Sequence, residues 1–398
     1  MKLFGKNKEK NNEGDLIDKS DKKRSGKFKI VLGIVIVLLL VGGFLFWKTG
    51  HTLNKITTKG GFLSSIARSL PGVKNELKGE ERGRINILLL GMRGEHVTGG
   101  GLLADTIMVA SIVPSQKTVS LVSIPRDLYV TVPGTNTKQK INAVYYYGEE
   151  KEHNGGGIKN MEKIVSEITG QPIDYAIAIN FKGFEEAIDA IGGIDIHLDK
   201  PFSEPLQFHQ EHVCDPNVFT IPSGNFEIKK DKKGRIVAKY PLCYNHDEEC
   251  GGVFSLPAGD VHLNGEKALC YARSRVTSTD FARARRQQEI LKLFKNKLLS
   301  AGTLTDFGKI NKLLNSLGDN VRTDMQGWEM KRLFDIYKKM GDNITIKQKV
   351  LDNSEEGLLY APQNTTPEQG YILLPRGDNY NRIKELFANI VPAPKKEK

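Results

Sequence analysis

The sequence has little net charge outside its two ends. The formal charge is +11 at pH 7, but residues 1–29 hold ten Lys or Arg against five Asp or Glu, and the final "APKKEK" adds two more positive charges. Only about +4 remains on residues 30–392, which is weak for a domain that must neutralise many DNA phosphates. The sequence also lacks the G-x-x-x-x-G-K-[ST] loop that holds nucleotide phosphates. We therefore expect no nucleic-acid partner.

Charged residues are absent from Ile30 to Trp47, a run of eighteen ("IVLGIVIVLLLVGGFLFW"). A helix of this length nearly spans a hydrocarbon layer of about 30 Å. Basic residues crowd its N-terminal side, so the positive-inside rule predicts a cytoplasmic N-terminus and an extracytoplasmic chain after residue 48. A cleaved signal peptide is the alternative, but no small-x-small cleavage site follows the run. We expect an uncleaved single-pass anchor in the cell membrane.

Cysteine is scarce, and the four cysteines all lie in the part of the chain that we expect to be exported: Cys214, Cys243, Cys250 and Cys270. An even number in an oxidising compartment favours disulfides, although three pairings are possible. The alternative is a zinc site that combines three of these cysteines (all but Cys270) with His209, His212 and His246.

Apolar runs alternate with helical patterns from residue 84 onwards. The predicted strands are "RINILLLG", "DTIMVASIV" (105–113), "TVSLVSIP" (118–125), "DYAIAIN" and "IDIHL", and the predicted helices are "IKNMEKIVSEITG" and "FKGFEEAIDAIGG". This alternation predicts an α/β domain with helices on both faces of the sheet. No internal repeat is apparent.

The polar, turn-rich stretch from 203 to 253 interrupts this alternation and is expected to be an inserted, hairpin-like excursion. From Leu256 the pattern becomes helical again, and residues 303–391 predict two or three helices, a strand "YILLP" and a last helix "NYNRIKELFANI". The predicted division is a basic cytoplasmic tail (1–29), a transmembrane helix (30–47), a stalk (48–82), one extracytoplasmic domain (83–391, with the insert 203–253 and a C-terminal completion 301–391) and a tail (392–398).

Five arginines crowd the stretch "YARSRVTSTDFARARRQQ" (271–288). "TSTD" offers N-cap residues for a helix from about Phe281 to Leu299, whose apolar stripe extends backward to Gln287 and Arg283. Those two side chains should point inward and Arg285 outward, while Arg273 and Arg275 share a face if their segment is extended. A buried arginine at a helix N-terminus favours an anion. Internal arginine–carboxylate pairs that brace the fold are the alternative.

A second polar group follows the strands. "SIPRD" places Arg126 and Asp127 directly after a buried strand, and Asp105 opens the neighbouring strand. Ligands of open α/β sheets gather at the carboxyl ends of strands. Carboxylates near several arginines are suited to hold Mg²⁺ against pyrophosphate oxygens. These residues together suggest phosphoryl transfer outside the cell.

The chain resembles the LytR–CpsA–Psr family of cell-envelope glycopolymer transferases. The resemblance rests on motifs in order from about residue 84 to 299: "INILLLG", "DTIMVASI", "VSLVSIPRDLYV", "KINAVYYYG", "FKGFEEAIDAIGGIDI", "LNGEKALCYARSR" and "DFARARRQQ". It implies a three-layer α/β/α sandwich around a mixed sheet, with an apolar tunnel for a polyprenyl tail. It also implies transfer of a glycopolymer from a polyprenyl-pyrophosphate carrier to peptidoglycan, through a phosphodiester link.

The resemblance also implies roles for single residues. Arg126, Arg273, Arg275 and Arg283 would grip the pyrophosphate. Lys140 and Gln287 would line the head-group site, and Asp105 would hold Mg²⁺. Asp280 would orient an arginine or take part in proton transfer.

Two positions depart from the family pattern. Arg93 stands where the family commonly has a metal-binding Asp, and Leu103 stands where an Arg is usual. Arg93 could therefore take over the missing phosphate contact, which would leave Asp105 together with waters or Asp127 as the ligands of Mg²⁺. Two other functions use the same residues: a hydrolase that cleaves the lipid pyrophosphate with water, and a non-catalytic envelope protein that binds lipid or glycan.

Overall fold

The computed structural model describes residues 76–95, 101–204, 212–214, 221–244, 250, 252–275, 277–300, 313, 317–341, 343–366 and 369–392. The predicted transmembrane helix, most of the stalk, and His209 and His246 lie outside these residues. Within them, no helix is both long and apolar enough to cross a membrane.

The strands are, in chain order, β1 (Ile85–Met92), β2 (Thr106–Val113), β3 (Thr118–Ser123), β4 (Tyr129–Thr131), β5 (Lys138–Lys140), β6 (Tyr175–Asn180), β7 (Ile194–Leu198), β8 (Phe202–Glu204), β9 (His212–Val213), β10 (Ile221–Lys230), β11 (Ile236–Tyr244), β12 (Phe254–Leu256), β13 (Gly259–Leu263), β14 (Val321–Thr323), β15 (Thr345–Val350), β16 (Leu359–Tyr360) and β17 (Leu374–Pro375). The α-helices are α1 (Val144–Lys151), α2 (Gly156–Thr169), α3 (Phe181–Ala190), α4 (Gly265–Arg273), α5 (Asp280–Ser300), α6 (Gly327–Met340) and α7 (Asn381–Asn389).

A six-stranded mixed sheet forms the centre of the fold, in the order β14-β6-β1-β2-β3-β15. β6 is parallel to β1, and β15 is parallel to β3, while β2 is antiparallel to both of its neighbours. The carboxyl ends of β1, β3, β6 and β15 therefore meet at one edge of the sheet, together with the amino end of β2. This is the edge at which the sequence places its polar groups.

Helices pack on both faces of this sheet because side chains alternate along each strand. Leu88 and Leu90 of β1 face a core that includes Ile164 of α2 and Phe387 of α7. Ile85 and Ile87 face the opposite way, toward Ile336 and other residues of α6. The predicted α/β domain with a central sheet flanked by helices is confirmed.

The structure corrects the prediction that the chain becomes helical again at Leu256. Residues 259–263 form β13, which pairs antiparallel with β7, and the helix begins only at Gly265. Val261 and Leu263 pack with the apolar core, while Asp260 and His262 face outward. This period of two is the pattern of a half-buried strand.

The insert contains the expected hairpin, formed by β10 and β11, and it holds two disulfides. Cys214 bonds Cys243 in β11, and Cys250 bonds Cys270 in α4. The disulfide prediction is confirmed with this pairing. The zinc alternative is wrong because all three of its cysteine sulfurs are taken up by disulfides. No group of three or more metal-ligating side chains is found in the described part of the chain.

Candidate anion site at the sheet edge

The loop after β3 brings the predicted polar residues together. β2 and β3 are antiparallel, so Asp105, just before β2, lies beside the segment that follows β3. That segment carries Arg126 and Asp127. The Asp127 carbonyl accepts a hydrogen bond from Leu373 N at 2.9 Å, which fixes the loop against the C-terminal part of the domain.

Arg126 lies at the centre of three carboxylates. Its Nη1 donates to Asp105 Oδ1 at 2.9 Å, its Nε lies 3.7 Å from Asp127 Oδ2, and its Nη2 lies 3.9 Å from Asp280 Oδ2. A planar guanidinium suits this position because its donors point in several fixed directions. Arg126 thus joins the two sheet loops to the start of α5.

Asp280 opens α5 and collects two further arginines. Arg283 Nη1 lies 2.7 Å from Asp280 Oδ1, and Arg275 Nη1 lies 3.8 Å from the same oxygen. The Thr279 hydroxyl caps the helix by accepting from Ala282 N at 3.1 Å. Arg283 is buried, as its helical spacing predicts.

Lys140 and Asn142 complete the cluster from the segment between β5 and α1. Lys140 Nζ lies 3.0 Å from Asp127 Oδ1, and Asn142 Nδ2 donates to Asp105 Oδ1 at 3.3 Å. Sequence analysis missed Asn142, although it stands two residues after Lys140 in the same motif. Lys140 therefore already has a carboxylate partner within the cluster.

The charged groups of the cluster keep one another ionised. Burial alone would raise the pKa of Asp105, but Arg126 and Arg283, with the hydrogen bond from Asn142, bring that pKa below its ordinary value. Burial would lower the pKa of Arg126, but its three carboxylate neighbours raise it overall. Burial, with repulsion from Arg126 and Arg275, lowers the pKa of Arg283 to about 10. Asp105 is therefore ionised at neutral pH, and the arginines are protonated.

Arg273, Gln287 and Arg93 belong to three further segments: the end of α4, the first half of α5 and the residue after β1. The Arg273 guanidinium carbon lies 4.7 Å from the centre of the Phe181 ring, and Phe181 N donates to the Arg93 carbonyl at 3.4 Å. Gln287 is half-buried, as expected, and donates to the Ala272 carbonyl at 3.3 Å. Arg273 thus stands beside the segment that follows β1.

The structure separates the roles of Arg285 and Arg286. Arg285 is exposed, as predicted, whereas Arg286 is buried and braces the loop between α4 and α5. Arg286 donates to the carbonyls of Tyr271 (3.0 Å) and Ser274 and to the Ser278 hydroxyl (3.2 Å). These contacts give Arg286 a bracing role.

Two further side chains near the cluster were not predicted. Gln288 is buried and donates from Nε2 to Ser123 Oγ and to the Lys349 carbonyl, both at 2.9 Å, so it fixes α5 to β3 and β15. Burial raises the pKa of the Tyr371 phenol, and the charges of Asp127 and Asp280 raise it further, which places this half-exposed tyrosine at the margin of the site.

Magnesium fits this site only if substrate phosphates or waters supply the rest of its coordination. Asp105 and Asp127 each already pair with a cation of the chain. Mg²⁺ commonly binds one or two carboxylates together with substrate phosphates and water. Asp105, ionised and about a quarter exposed (28% for its side chain), is the carboxylate that suits this mode.

The cluster holds four cations (Arg126, Lys140, Arg275 and Arg283) against three carboxylates (Asp105, Asp127 and Asp280), with Arg273 nearby. The model of the LytR_cpsA_psr family matches residues 55–369, which include every one of these side chains. The chain belongs to this family.

Members of the LytR_cpsA_psr group similar to this chain carry informative names. A polyisoprenyl-teichoic acid–peptidoglycan teichoic acid transferase, TagV, from Bacillus subtilis is 28% identical over 90% of this chain and 77% of its own length. The transferase of the same description, TagU, from Enterococcus faecalis is 26% identical over 77% of this chain and 81% of its own length.

Solved structures show the same fold. The crystal structure of B. subtilis TagV superposes with a TM-score of 0.51 at 24% identity, covering 78% of this chain and 98% of that one. A structure of TagT bound to LIIa-WTA gives a TM-score of 0.52 at 19% identity, covering 77% and 91% of the two chains.

Proposed function

We propose that this chain transfers a glycopolymer of the wall teichoic acid class from a polyprenyl-pyrophosphate carrier to peptidoglycan, forming a phosphodiester link. The surplus of guanidinium and ammonium groups at the carboxyl edge of the sheet is the observation that carries this proposal. Family membership, and the names of relatives that share most of the chain, support it.

The reaction needs no nucleotide, because the carrier's own pyrophosphate supplies the leaving group. A hydroxyl oxygen of the peptidoglycan attacks the phosphorus that bears the glycan, and the bond from that phosphorus to the bridging oxygen breaks. The products are the glycan phosphodiester and polyprenyl phosphate. Catalysis of such a step is mainly positioning and stabilisation of negative charge.

The chain's residues have separate roles in this proposal. Arg126, Arg275 and Arg283 bind the pyrophosphate oxygens, with Arg273 and Arg93 at the β1 side. Lys140 and Gln287 border the head group. Asp280 orients the arginines and accepts the proton of the attacking hydroxyl, since its side chain is 29% exposed whereas that of Asp127 is 9% exposed.

We further propose Mg²⁺ as the cofactor, held by Asp105, with Asp127 next to it and phosphate oxygens of the substrate. When bound, it would offset the negative charge of the pyrophosphate. Arg93, in the place of a carboxylate, adds a positive charge instead of a metal ligand.

The proposed location is the outer side of the cell membrane. The apolar run 30–47 and the basic residues before it support a single-pass anchor with a cytoplasmic N-terminus. The two disulfides fit an oxidising compartment. A three-layer sandwich with a polyprenyl tunnel is the arrangement we propose for the exported domain.

Replacing Arg275 by alanine should lower kcat/KM for transfer by roughly 10- to 100-fold, because one phosphate contact and one partner of Asp280 are lost. The assay supplies lipid-linked glycan and peptidoglycan to the full chain in nanodiscs. Arg285→Ala is the matched control, since Arg285 is exposed on the same helix turn as the site and should retain activity within about twofold. Equal activity of the two variants would contradict the assignment of Arg275.

A further inference from the structure

The insert hairpin β10–β11 carries a concentration of positive charge. Residues 221–244 hold six Lys or Arg against two acidic residues, a net charge of +4. Residues 30–392 as a whole also carry about +4, so the rest of that span is close to neutral. The hairpin is therefore a local concentration of positive charge in a span that is otherwise nearly balanced.

Both faces of the hairpin are open to solvent. Phe226, Ile228, Ile236 and Val237 are between 46% and 63% exposed, and the lysines beside them are exposed as well. The short β9 pairs with β11 at the base, and beyond it the ribbon has only two strands, an arrangement that is marginal alone. Cys243 in β11 is tied to Cys214, which secures the base of the ribbon.

Lysines and rings are paired in fixed positions along the ribbon. Lys239 Nζ lies 3.9 Å from the centre of the Phe226 ring, and Lys229 Nζ lies 5.2 Å from that of Tyr240. At the tip, Asp231 accepts from the backbone N of Lys233 (2.8 Å) and of Arg235 (2.9 Å), which orders the turn. The hairpin thus presents exposed aromatic faces next to ammonium groups.

We propose that this hairpin binds the phosphate-bearing glycopolymer chain of the substrate, at a distance from the reacting pyrophosphate. A polymer that alternates sugar or polyol units with phosphates offers apolar faces for the rings and anions for the lysines. The identity of the polymer in this inference rests on the proposed function. The binding of a phosphate-bearing polymer by the hairpin does not.

The distribution of charge favours such a polymer over a membrane surface. An element that inserts into a bilayer separates its apolar face from its charged face. Here Ile228 pairs directly with Lys239 across the ribbon, so the two side chains share one face. The tip, which would enter a membrane first, consists of Asp231, Lys232, Lys233, Gly234 and Arg235.

The hairpin is also joined covalently to the site. The Cys250–Cys270 disulfide links the segment after β11 to α4, and Arg273 and Arg275 stand at and just beyond the end of that helix. A polymer bound by the hairpin is therefore held by an element tethered to the arginines that contact its pyrophosphate end.

The test compares two variants of the full chain in phosphatidylcholine nanodiscs. In the hairpin variant, Gln replaces Lys229, Lys230, Lys232 and Lys233. In the control variant, Gln replaces four other exposed lysines, Lys163, Lys182, Lys338 and Lys339. The probe is soluble poly(glycerol phosphate), without lipid or pyrophosphate. We expect the hairpin variant to bind it about tenfold more weakly at low salt, with a smaller salt dependence, and the control to stay within about twofold of the unmodified chain.

Equal weakening in both variants would overturn the proposal, because it would show a general charge effect. Polymer binding that is unchanged in the hairpin variant would also overturn it. If the hairpin amides then gain hydrogen-exchange protection in phosphatidylglycerol nanodiscs, the partner is the membrane. If the hairpin variant instead loses binding to phosphate-free peptidoglycan fragments, the partner is the acceptor.

Two further measurements separate this proposal from the proposed function. Arg275→Ala should bind poly(glycerol phosphate) normally. The hairpin variant should turn over a lipid pyrophosphate bearing only a disaccharide at the unmodified rate, but show a KM raised about tenfold for long polymers. Absence of transfer by the unmodified chain would reject the proposed function and leave the binding result standing.

Discussion

Replacing Arg126 by alanine is expected to reduce kcat for transfer by roughly 100- to 1000-fold. Asp105, Asp127 and Asp280 all lie within 4 Å of its guanidinium, at 2.9, 3.7 and 3.9 Å. Without it, the three carboxylates face the pyrophosphate with less compensation and repel both the substrate and one another. Steady-state transfer of lipid-linked glycan to peptidoglycan measures this loss.

Arg126→Lys separates charge from geometry. A lysine restores one positive charge but cannot reach three carboxylates with fixed donors, so an intermediate rate is expected. The melting temperature of each variant shows whether the domain remains folded. A variant that melts early but retains the unmodified kcat at low temperature would assign Arg126 a bracing role only.

Replacing Arg286 by alanine is expected to lower the free energy of unfolding by about 2–4 kcal/mol. Arg286 is buried, and its guanidinium lies 5.3 Å from the centre of the Phe202 ring and 5.6 Å from that of Tyr271. Alanine would leave the carbonyls of Tyr271 and Ser274 without their donor and open a cavity under the rings. Denaturant unfolding at pH 7 measures the difference.

The neighbouring Arg285 provides the matched control for stability. Arg285 is exposed, so Arg285→Ala should change the free energy of unfolding by less than about 0.5 kcal/mol. Since Arg286 holds the loop that carries Arg275, the Arg286 variant should also transfer more slowly below its melting temperature. Equal stability of the two alanine variants would show that Arg286 does not brace this loop.

The buried strands of the sheet could be predicted from the sequence, because a strand that is buried is a continuous apolar run. β1, β2 and β3 are apolar runs, and their observed bounds differ from the predicted ones by one or two residues. β15 was missed because "TIKQKV" is an edge strand with mostly exposed side chains, so it has no apolar run. Its position follows from pairing with β3, which is distant in sequence.

The part of the candidate site that lies on α5 could be predicted from the sequence. The spacing along α5 places Arg283 inward, since Ile290 lies seven residues later on the same face. Helical spacing could not show that Arg286 is buried, because its partners Tyr271, Ser274 and Ser278 lie outside the helix. Nor could it find Gln288, whose partners lie on two strands from opposite ends of the domain.

Which charged side chains pair with each other could not be predicted from the sequence either. Asp127 was a candidate metal ligand by position, but Lys140 lies 3.0 Å from it, and only the path of the chain after β5 decides that contact. Its role as a ligand of Mg²⁺ remains a prediction, as do the roles of Arg93 and Arg273. The predicted membrane anchor lies outside the described residues and remains a prediction as well.

The most direct test of the central claim follows one labelled phosphate. The full chain in nanodiscs receives peptidoglycan and a polyprenyl-pyrophosphate glycan in which the phosphate next to the sugar carries the label. Transfer predicts that the label enters peptidoglycan as a phosphodiester while one polyprenyl phosphate is released for each link formed. Label recovered instead in a soluble phosphorylated glycan would mean hydrolysis. Tight lipid binding without turnover, with or without Mg²⁺, would mean a binding protein. Either result would contradict the claim.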